Sequence, residues 1–586
     1  MQRHQKRVFD FLENIQKNYA KSFLVGNKDG DTWKTYSINE FNSIVNNISK
    51  GFLADGLQKG DRIAIMSGNR PEWNFIDFAC NQIGLITVPL YPTLSEKDLS
   101  FILKNADVKK IFVSSEELFH KIQQCVEKEQ LNIDLLSFDQ IADCPHYSIF
   151  IDLGKNQEIN LLPYRAAVHE DDLLTLIYTS GTTGQPKGVL LTHKNLISNV
   201  DAVKHILTSE HTRALSFLPL CHIFERMVVY IYFSKGLQIY YSESLDHIVD
   251  DIQAIKPHLF TTVPRVLEKV YDSIIAKGKD LRGIKKGFFF WAVNLGHKFQ
   301  EPPKNPFFYR IKLSIARKLI FSKWVEALGG EIKMIVSGGA ALQERLGRIF
   351  WAAGIKVLEG YGLTETSPVM AVNSWEKDSL RFGTVGKVLS NIHVKIAEDG
   401  EILVKGPSVS PGYYKNEEAT QEAFDEEGYL KTGDIGELSK DSFLKITDRK
   451  KEIFKTAGGK YIAPQTVENK LTESLMIGQV IVIGENQRFA SALIVPAFEE
   501  LEKWAKYKGI AFNDRQNLLA KPEVLDKYQR EIDKANEDLG RWETIKKFVL
   551  LPKAWTIEAG EITPKLSLKR KVILKNYAEI IENIYK

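Results

Sequence analysis

Residues 178–189, YTSGTTGQPKGV, concentrate hydroxyls, glycines and one lysine directly after the apolar segment LLTLI. Glycines let backbone N–H groups face phosphate oxygens, and hydroxyls and a lysine add further donors and a positive charge. The spacing is not that of a Walker A loop, because Pro186 stands where that motif requires glycine. We therefore predict a phosphate-binding loop of another kind, with a flexible surface loop as the alternative. Its candidate nucleotide-binding residues are Thr179, Ser180, Gly181, Thr182, Thr183, Gly184 and Lys187.

Four further polar or glycine-rich segments follow along the chain: SGGA (residues 337–340), YGLTET (361–366), TGD (432–434) and DRKKE (448–452). Each alone is a weak signal, since SGGA is also typical of a turn into a helix, TGD of an ordinary turn and RKKE of a solvated helix face. In this order and spacing, the set resembles the signature of the adenylate-forming superfamily, which contains acyl-CoA synthetases, luciferases and peptide-synthetase adenylation domains. The resemblance covers roughly residues 30–575.

The resemblance implies that these segments bind ATP. Small residues would admit the adenine base, and a tyrosine would cover one of its faces. The implied adenine pocket consists of Gly338, Gly339, Ala340, Gly360 and Tyr361. Thr364 would bind the α-phosphate and Glu365 would ligate Mg²⁺, a hard cation that prefers oxygen ligands, with Thr179 as a second metal ligand. Without the resemblance, a lone glutamate is usually a solvated side chain.

The later segments carry the remaining nucleotide contacts that the resemblance implies. Asp434 would accept hydrogen bonds from both ribose hydroxyls, and Arg449 would reach the ribose or a phosphate. Lys451 and Lys455 would meet the nucleotide from the small-domain side, Lys455 in a catalytic role. Asp448 resembles the hinge between a large and a small domain.

Two segments, LPLCHIFER (218–226) and TTVPRVLEKVY (261–271), are most similar to the long-chain fatty-acid branch of the superfamily. By this resemblance His222 lies near the acyl carboxylate and the mouth of the acyl pocket. The alternative is a core residue, the usual role of a lone histidine among apolar neighbours. No phosphopantetheine-attachment region follows the small domain, which favours free coenzyme A (CoA) as the thiol acceptor.

Near residue 565 the sequence departs from the family pattern. Members of the superfamily usually carry a catalytic lysine a few residues after a Thr-Pro pair, but here ITPKLSLKRK places Ser567 at that position. Lys565 and Lys569 flank it, and on an extended strand residues two apart share a face. We predict that Lys569 supplies the catalytic charge, with a solvated cation as the alternative.

Short apolar segments alternate with helix-length amphipathic stretches through the first 370 residues. RIAIMSGN, LITVPLYP, KKIFVSS, LLTLIYTS, ALSFLPL, HLFTTVP and IKMIVSGGA read as strands, and SINEFNSIVNNISKGFLADG as a helix. Such alternation predicts an α/β fold with mainly parallel sheets covered by helices. We expect a large domain of layered α/β subdomains, residues 1–447, in which 380–447 form a β-rich, barrel-like unit. A small, mobile α+β domain, residues 448–586, would follow the hinge.

The bulk composition excludes several classes of protein. A net charge of +4, from 78 basic and 74 acidic residues, gives no global field of the kind that marks a nucleic-acid-binding protein. Four scattered cysteines without metal-ligand spacing favour a reducing compartment. The apolar runs are too short for a secretory signal or a membrane span, so we expect a cytoplasmic protein. The sequence makes no prediction of oligomeric state.

Residues 281–325 contain ten Lys or Arg, ten aromatic residues and one acid, Glu301. We interpret this segment first as a buried helix pair. Peripheral contact with anionic lipid, on the inner face of a membrane, is the second interpretation. A nucleic-acid patch is the third, but no RNA-binding signature accompanies it.

Taken together, the resemblance implies an AMP-forming long-chain fatty acid–CoA ligase that binds ATP, Mg²⁺, CoA and a fatty acid, and no nucleic acid. One alternative is an adenylate-forming ligase for another carboxylic acid. The other is a catalytically impaired nucleotide- or lipid-binding relative, which Ser567 suggests.

Overall fold

The structure of the protein is a computed structural model that describes residues 5–19, 23–30, 32–180, 185–242, 247–556, 559–563 and 568–586. The predicted site residues Gly181, Thr182, Thr183 and Gly184, together with Lys565 and Ser567, lie outside the described residues. The backbone of Ser180 is described, but its side chain is not.

The described residues form twenty-four strands, which are numbered in chain order. They are β1 (Val25–Asp29), β2 (Thr32–Tyr36), β3 (Arg62–Met66), β4 (Ile86–Leu90), β5 (Val108–Val113), β6 (Asp134–Ser137), β7 (Leu173–Ser180), β8 (Pro186–Thr192), β9 (Arg213–Ser216), β10 (Gln238–Tyr241), β11 (Leu259–Thr262), β12 (Met334–Ser337), β13 (Lys356–Gly362), β14 (Val369–Val372), β15 (Lys387–Val388), β16 (His393–Ile396), β17 (Glu401–Lys405), β18 (Leu430–Leu438), β19 (Leu444–Arg449), β20 (Phe454–Lys455), β21 (Tyr461–Ile462), β22 (Ile477–Ile483), β23 (Ser491–Pro496) and β24 (Lys547–Leu550).

The α-helices are numbered in the same way. They are α1 (Asp10–Asn18), α2 (Ile38–Ala54), α3 (Pro71–Asn81), α4 (Glu96–Asn105), α5 (Glu116–Lys128), α6 (Ser148–Lys155), α7 (Leu162–Ala166), α8 (His193–Val203), α9 (Ile223–Ser234), α10 (Ile248–Ile255), α11 (Pro264–Asp280), α12 (Gly283–His297), α13 (Phe307–Ala316), α14 (Ser322–Ala327), α15 (Glu344–Ala353), α16 (Glu417–Ala423), α17 (Pro464–Leu471), α18 (Phe498–Tyr507), α19 (Arg515–Leu519), α20 (Pro522–Asn536), α21 (Arg570–Asn576) and α22 (Ala578–Tyr585). A π-helical turn, Arg317–Phe321, joins α13 to α14, and 3₁₀ turns span Lys204–Ile206 and Thr364–Thr366.

Two large sheets form the N-terminal part of the fold. One has six strands in the order β6-β5-β3-β4-β7-β8, parallel except for the antiparallel β7–β8 pair. The other has nine strands in the order β15-β14-β13-β12-β11-β9-β10-β1-β2, with a parallel centre. The strands predicted from RIAIM, LITVPL, KKIFV, LLTLIYTS, ALS, LFTT and MIVS are confirmed as β3, β4, β5, β7, β9, β11 and β12. The predicted helix is confirmed as α2. Ser37 and Glu40 form a capping box at its N-terminus.

Helix α9 lies between the two sheets and is buried along its whole length. Such an all-round apolar helix belongs in a core. Its two adjacent charged residues bind opposite sheets. Arg226 donates to Thr175 of β7 and Thr87 of β4, both at 2.8 Å, and pairs with Asp77. Glu225 accepts hydrogen bonds from Ser216 of β9 and Thr261 of β11, and burial raises its pKa to about 7.

The β-rich unit predicted for residues 380–447 corresponds to a four-stranded antiparallel sheet, β16-β17-β18-β19. It packs on the large apolar core, which includes Ile402, Val404, Leu430 and Leu444. The described residues after β19 form a three-stranded sheet, β22-β23-β24, and a short β20–β21 pair, covered by α17 to α22 around a separate apolar core. The α/β fold with layered sheets, a half-barrel sheet and a C-terminal domain is confirmed.

The segment 281–325 folds as helices, as its first interpretation predicts, but the expected burial of the pair is wrong on one side, where Ile284 is 80% and Phe308 76% exposed. α12 and α13 pack against each other, and the Tyr309 hydroxyl donates to the Leu295 carbonyl at 2.8 Å. No helix in the described part of the chain is both long enough and apolar enough to cross a bilayer.

Candidate active site

One cavity of about 860 Å³ brings together residues of both large sheets and of the C-terminal part of the chain. Ten predicted site residues line it: Thr179, His222, Gly338, Gly339, Gly360, Tyr361, Thr364, Glu365, Arg449 and Lys569. Most of them follow the C-terminal ends of parallel strands, where ligands bind in open α/β sheets. A second cavity, of about 820 Å³ between α11 and the C-terminal part, contains none of the predicted residues in its lining.

The polar end of the first cavity is backed by Asp434, which is 5% exposed and contacts two lining residues without lining the cavity itself. The Tyr361 hydroxyl donates to Asp434 Oδ2 at 2.5 Å, and Arg449 Nε lies 3.5 Å from Asp434 Oδ1. Asp434 and Arg449 are register partners on β18 and β19, so the sheet fixes their separation. Burial raises the pKa of the Asp434 carboxyl, and the Arg449 charge opposes that rise. The carboxylate is thus held at a fixed distance from a ring and a cation.

The described residues of the predicted phosphate-binding segment belong to the antiparallel strands β7 and β8, in which Thr179 pairs with Lys187. Strand β8 is bound to a following loop, since Tyr414 N donates to the Gly188 carbonyl at 2.7 Å. In the same loop, the Tyr413 hydroxyl donates to Glu365 Oε1 at 2.9 Å, and the Lys187 ammonium lies 5.2 Å from the Tyr413 ring centre. Tyr413 therefore connects strand β8 to the predicted metal ligand.

Gly338 allows Phe224 to approach the end of β12. A Cβ atom at this glycine would lie 3.0 Å from the Phe224 ring, tighter than ordinary contact. Gly339 adopts φ of +81°, a left-handed conformation that favours glycine. Both glycines line the cavity, which supports a close approach of a flat group at this edge.

His222 is the N-cap of α9 and lines the cavity between its polar and apolar parts. Its Nδ1 accepts a hydrogen bond from Phe224 N at 3.0 Å, which fixes the ring at the start of the helix. Beyond it the lining becomes apolar, with side chains from α9, β11, β12, β13 and the end of α8. They include Met227, Val228, Ile231, Leu259, Met334, Val336 and Leu358.

The C-terminal part contributes Gly560, Thr563 and Lys569 to the same cavity. Lys569 is the N-cap of α21, and its backbone N–H donates to the Glu561 carbonyl at 2.7 Å. The next residue, Arg570, is anchored in the C-terminal core, where it donates to the Val482 carbonyl at 2.6 Å and pairs with buried Glu468. This anchor holds Lys569 at the cavity wall.

Five predicted residues that the structure describes do not line the cavity: Asp434, Ala340, Lys187, Lys451 and Lys455. Ala340 is exposed. Lys187 reaches the Tyr413 ring, and Lys455 lies with its ammonium 5.5 Å from the Tyr461 ring centre. Lys451 is also exposed, on the turn after β19. The roles predicted for Ala340, Lys451 and Lys455 stay predictions.

Sequence analysis missed two groups of site residues. Tyr413 gave no signal, because its link to Glu365 joins residues 48 positions apart. The apolar side chains of α9 appeared only as a dense apolar run, and nothing in a single sequence shows that Met227 and Ile231 face a cavity. The alternation of residues on β12 was the one available signal, since Met334, Val336 and Gly338 share a face.

The profile of the AMP-binding enzyme family matches residues 11–414, and that of the AMP-binding enzyme C-terminal domain matches residues 451–586. The chain belongs to the AMP-binding enzyme family. The predicted superfamily is thereby confirmed, and the cavity of this AMP-binding enzyme lies where residues of the two matched regions meet.

Named relatives of this AMP-binding enzyme agree with the branch that the sequence indicated. It is 35% identical to the long-chain-fatty-acid–CoA ligase FadD15 of Mycobacterium bovis, over 91% of this chain and 90% of that protein. It is 32% identical to the peroxisomal long chain acyl-CoA synthetase 6 of Arabidopsis thaliana, over 94% and 82%. A similar fold occurs in the A–PCP didomain of the carboxylic acid reductase of Segniliparus rugosus, solved with AMP: TM-score 0.76, 20% identity, 99% of this chain and 82% of that chain.

Proposed function

We propose that this AMP-binding enzyme is an AMP-forming long-chain fatty acid–CoA ligase, which converts ATP, a fatty acid and CoA into acyl-CoA, AMP and pyrophosphate. One observation carries the proposal: a single cavity has a polar end at Tyr361 and Thr364 and an apolar end at Met227 and Val336. A nucleotide and a hydrocarbon chain can therefore lie end to end with their reactive groups in contact. The relatives named as long-chain ligases support the same substrates.

In the first half-reaction, a carboxylate oxygen attacks the α-phosphorus of ATP, the bond to pyrophosphate breaks, and an acyl-adenylate forms. Asp434 orients the ribose by accepting its hydroxyls, and Thr364 donates to the α-phosphate. His222 holds the fatty carboxylate at the junction of the two ends. Its Nδ1 accepts from Phe224 N and caps α9, which fixes the ring, so the carboxylate would be bound by the opposite edge of the imidazole. Lys569 offsets the negative charge that builds up between carboxylate and phosphate.

The donor set at Glu365 fits Mg²⁺. Mg²⁺ is commonly held by one or two protein oxygens together with substrate phosphates. Within the described residues no three or more His, Cys, Asp or Glu side chains form a cluster that could hold a metal ion. When bound, the ion neutralises phosphate charge and orients the leaving pyrophosphate. Glu365 and Thr179 would hold it, and the Tyr413 hydroxyl fixes the Glu365 carboxylate by donating to Oε1.

In the second half-reaction, the CoA thiol attacks the acyl carbonyl carbon, and AMP leaves with the bonding electrons. Lys569 closes the cavity wall during adenylation and must move to admit the thiol. We propose that residues 448–586 rotate relative to residues 1–447 about Asp448. Asp448 suits a hinge, since its carboxylate accepts from Arg449 N at 2.6 Å on β19 and from Gln465 N at 3.2 Å on α17.

We also propose that the enzyme acts in the cytoplasm, at the inner face of a membrane. None of the four cysteines, all of them in the described part of the chain, forms a disulfide, which suits a reducing compartment. Long fatty acids partition into membranes, so a peripheral enzyme would meet its substrate there.

The test is AMP release over a series of acids from C2 to C20, with and without CoA, together with ATP–pyrophosphate exchange. We expect exchange with long acids alone and AMP release with CoA. Activity confined to an aryl or amino acid would favour another ligase of the family. ATP binding without exchange, under every acid, would favour a catalytically impaired relative.

A further inference from the structure

The outer side of the α12–α13 pair exposes apolar side chains in a pattern that does not suit a free surface. On α13 and the π-helical turn, Phe308, Ile311, Ile315 and Leu319 follow helical spacing and are 46–76% exposed. On α12, Ile284 is 80% exposed. Residues 284–319 hold seven of the fifteen large, exposed apolar side chains within the described residues. Contiguous patches of this kind mark interaction sites.

The same side is basic. Residues 281–325 hold ten bases and one acid, Glu301, whereas the whole chain has a net charge of only +4. Glu301 is occupied, because it pairs with Lys304 and accepts from Phe382 N. Lys285, Lys312 and Lys318 form no ion pair with any acid of the described residues. The positive charge therefore remains available to a partner.

Helix α12 and the π-helical turn that follows α13 both pack against the same helix, α15, so that the exposed side chains lie on the side away from it. Gly296 of α12 adjoins Ile349, and Arg317 donates to the carbonyls of Trp351 and Ala352. The exposed residues therefore form one surface, the α12–α13 face, which consists of the outward side chains of residues 284–319.

We propose that the α12–α13 face binds the surface of an anionic phospholipid membrane. Bulky aliphatic and aromatic side chains among lysines match the boundary between acyl chains and negatively charged headgroups. A second copy of the chain is a poor occupant, since a twofold contact would bring two basic faces together. Nucleic acid is also a poor occupant, because Ile311, Ile315 and Leu319 offer nothing to phosphates or base edges. The inference rests on the proposed function only for its purpose, which is collection of fatty acid from the membrane.

The experiment is flotation of the full-length enzyme with vesicles of phosphatidylglycerol and phosphatidylcholine, compared with pure phosphatidylcholine. Two variants test the two components: Lys312→Glu with Lys318→Glu, and Phe307→Ser with Phe308→Ser, the last two residues being 62% and 76% exposed. The matched control is Tyr507→Ser with Lys508→Glu, at a site on the C-terminal part where Tyr507 is 85% exposed.

We expect the wild type and the control to float with anionic vesicles. The lysine variant should partition at least tenfold less, since each basic residue near an anionic surface contributes roughly a fivefold factor. The phenylalanine variant should also partition at least tenfold less, since it removes two apolar side chains that the membrane would take out of water. Salt should weaken binding of the wild type more than that of the lysine variant. AMP release with a dissolved acid, without vesicles, should be unchanged in all variants.

Three results would overturn the proposal. The wild type could fail to float with anionic vesicles, both α12–α13 variants could float as well as the wild type, or the wild type could be a dimer that the variants convert to monomers. The proposed function fails separately. An enzyme that floats through this face but releases no AMP would keep the membrane site and lose the ligase assignment.

Discussion

The two ends of the cavity are built in different ways. At the polar end, Tyr361 and Arg449 both contact Asp434 directly, and Tyr413 fixes Glu365. At the apolar end, side chains such as Met227 and Val336 only border a space. The polar end depends on individual atoms at fixed positions, whereas the apolar end depends on volume. Substitutions at the polar end should therefore affect every acid alike, and those at the apolar end should change which acid is used.

The largest effect is expected at Lys569, which the C-terminal part of the chain contributes to the polar end of the cavity. Lys569→Ala should lower the rate of ATP–pyrophosphate exchange by about 10²- to 10³-fold, since it removes a charge that stabilises the transition state. The loss should be the same for every acid. Thioester formation from supplied acyl-adenylate and CoA should change much less, and rapid-quench measurement of both steps would show the difference.

Lys575→Ala, on the same helix α21, is the matched control and should retain exchange. If Lys569→Ala also retained full exchange, the catalytic charge would have to come from another residue. The assignment of the polar end to both parts of the chain would then be wrong.

A smaller loss should follow from removal of the carboxylate that orients the ribose. Asp434→Ala should raise KM for ATP about 10- to 100-fold, because hydrogen bonds to charged groups contribute about 1.5–3 kcal/mol each. Steady-state kinetics with a C12 and a C18 acid should give the same factor. Tyr361→Phe leaves the carboxylate in place and should cause a smaller rise. A factor that depended on acid length would contradict the separation of the two ends.

The apolar end should respond selectively. Val336 faces the cavity from the middle of β12, so Val336→Phe should fill part of the acyl space. We expect kcat/KM to fall roughly tenfold or more for long acids, since hydrophobic pockets discriminate by about 1–3 kcal/mol, and to change little for short ones. Val336→Ala should have the opposite preference. KM for ATP, measured with a short acid, should stay unchanged in both variants.

The same contrast explains how much the sequence could predict. Seven strands, β3, β4, β5, β7, β9, β11 and β12, could be predicted because a buried strand has a distinctive apolar run between turns. Residues of the polar end, such as Tyr361 and Glu365, could be predicted because they lie in segments that resemble the signature of the superfamily. The apolar end could not be predicted, since any side chain of suitable size borders a cavity, and the neighbours of Met227 are set by the packing of α9 between two sheets. Tyr413 was missed for a related reason, because its contact is entirely tertiary.

The smallest effect tests whether the strand that joins the two ends has a role outside the cavity. Glu359 lies on β13 between Leu358 and Gly360, which line the apolar and polar parts, and it is only 8% exposed, on the opposite face. Burial raises its pKa to about 8. The folded protein therefore holds this proton at pH values where the unfolded chain has lost it, so stability is fully present below about pH 4.5 and declines as pH rises toward 8.

Glu359→Gln removes this titration and should flatten the fall in free energy of unfolding by up to about 1.4 kcal/mol per pH unit, as measured by urea denaturation between pH 5 and 9. Glu225 and Glu468, whose pKa values burial raises to about 7, titrate in the same direction and should leave part of the slope in the variant. The pH profile of ATP–pyrophosphate exchange should match that of the wild type; a shifted profile would show that Glu359 acts on the cavity and that the two faces of β13 are not independent.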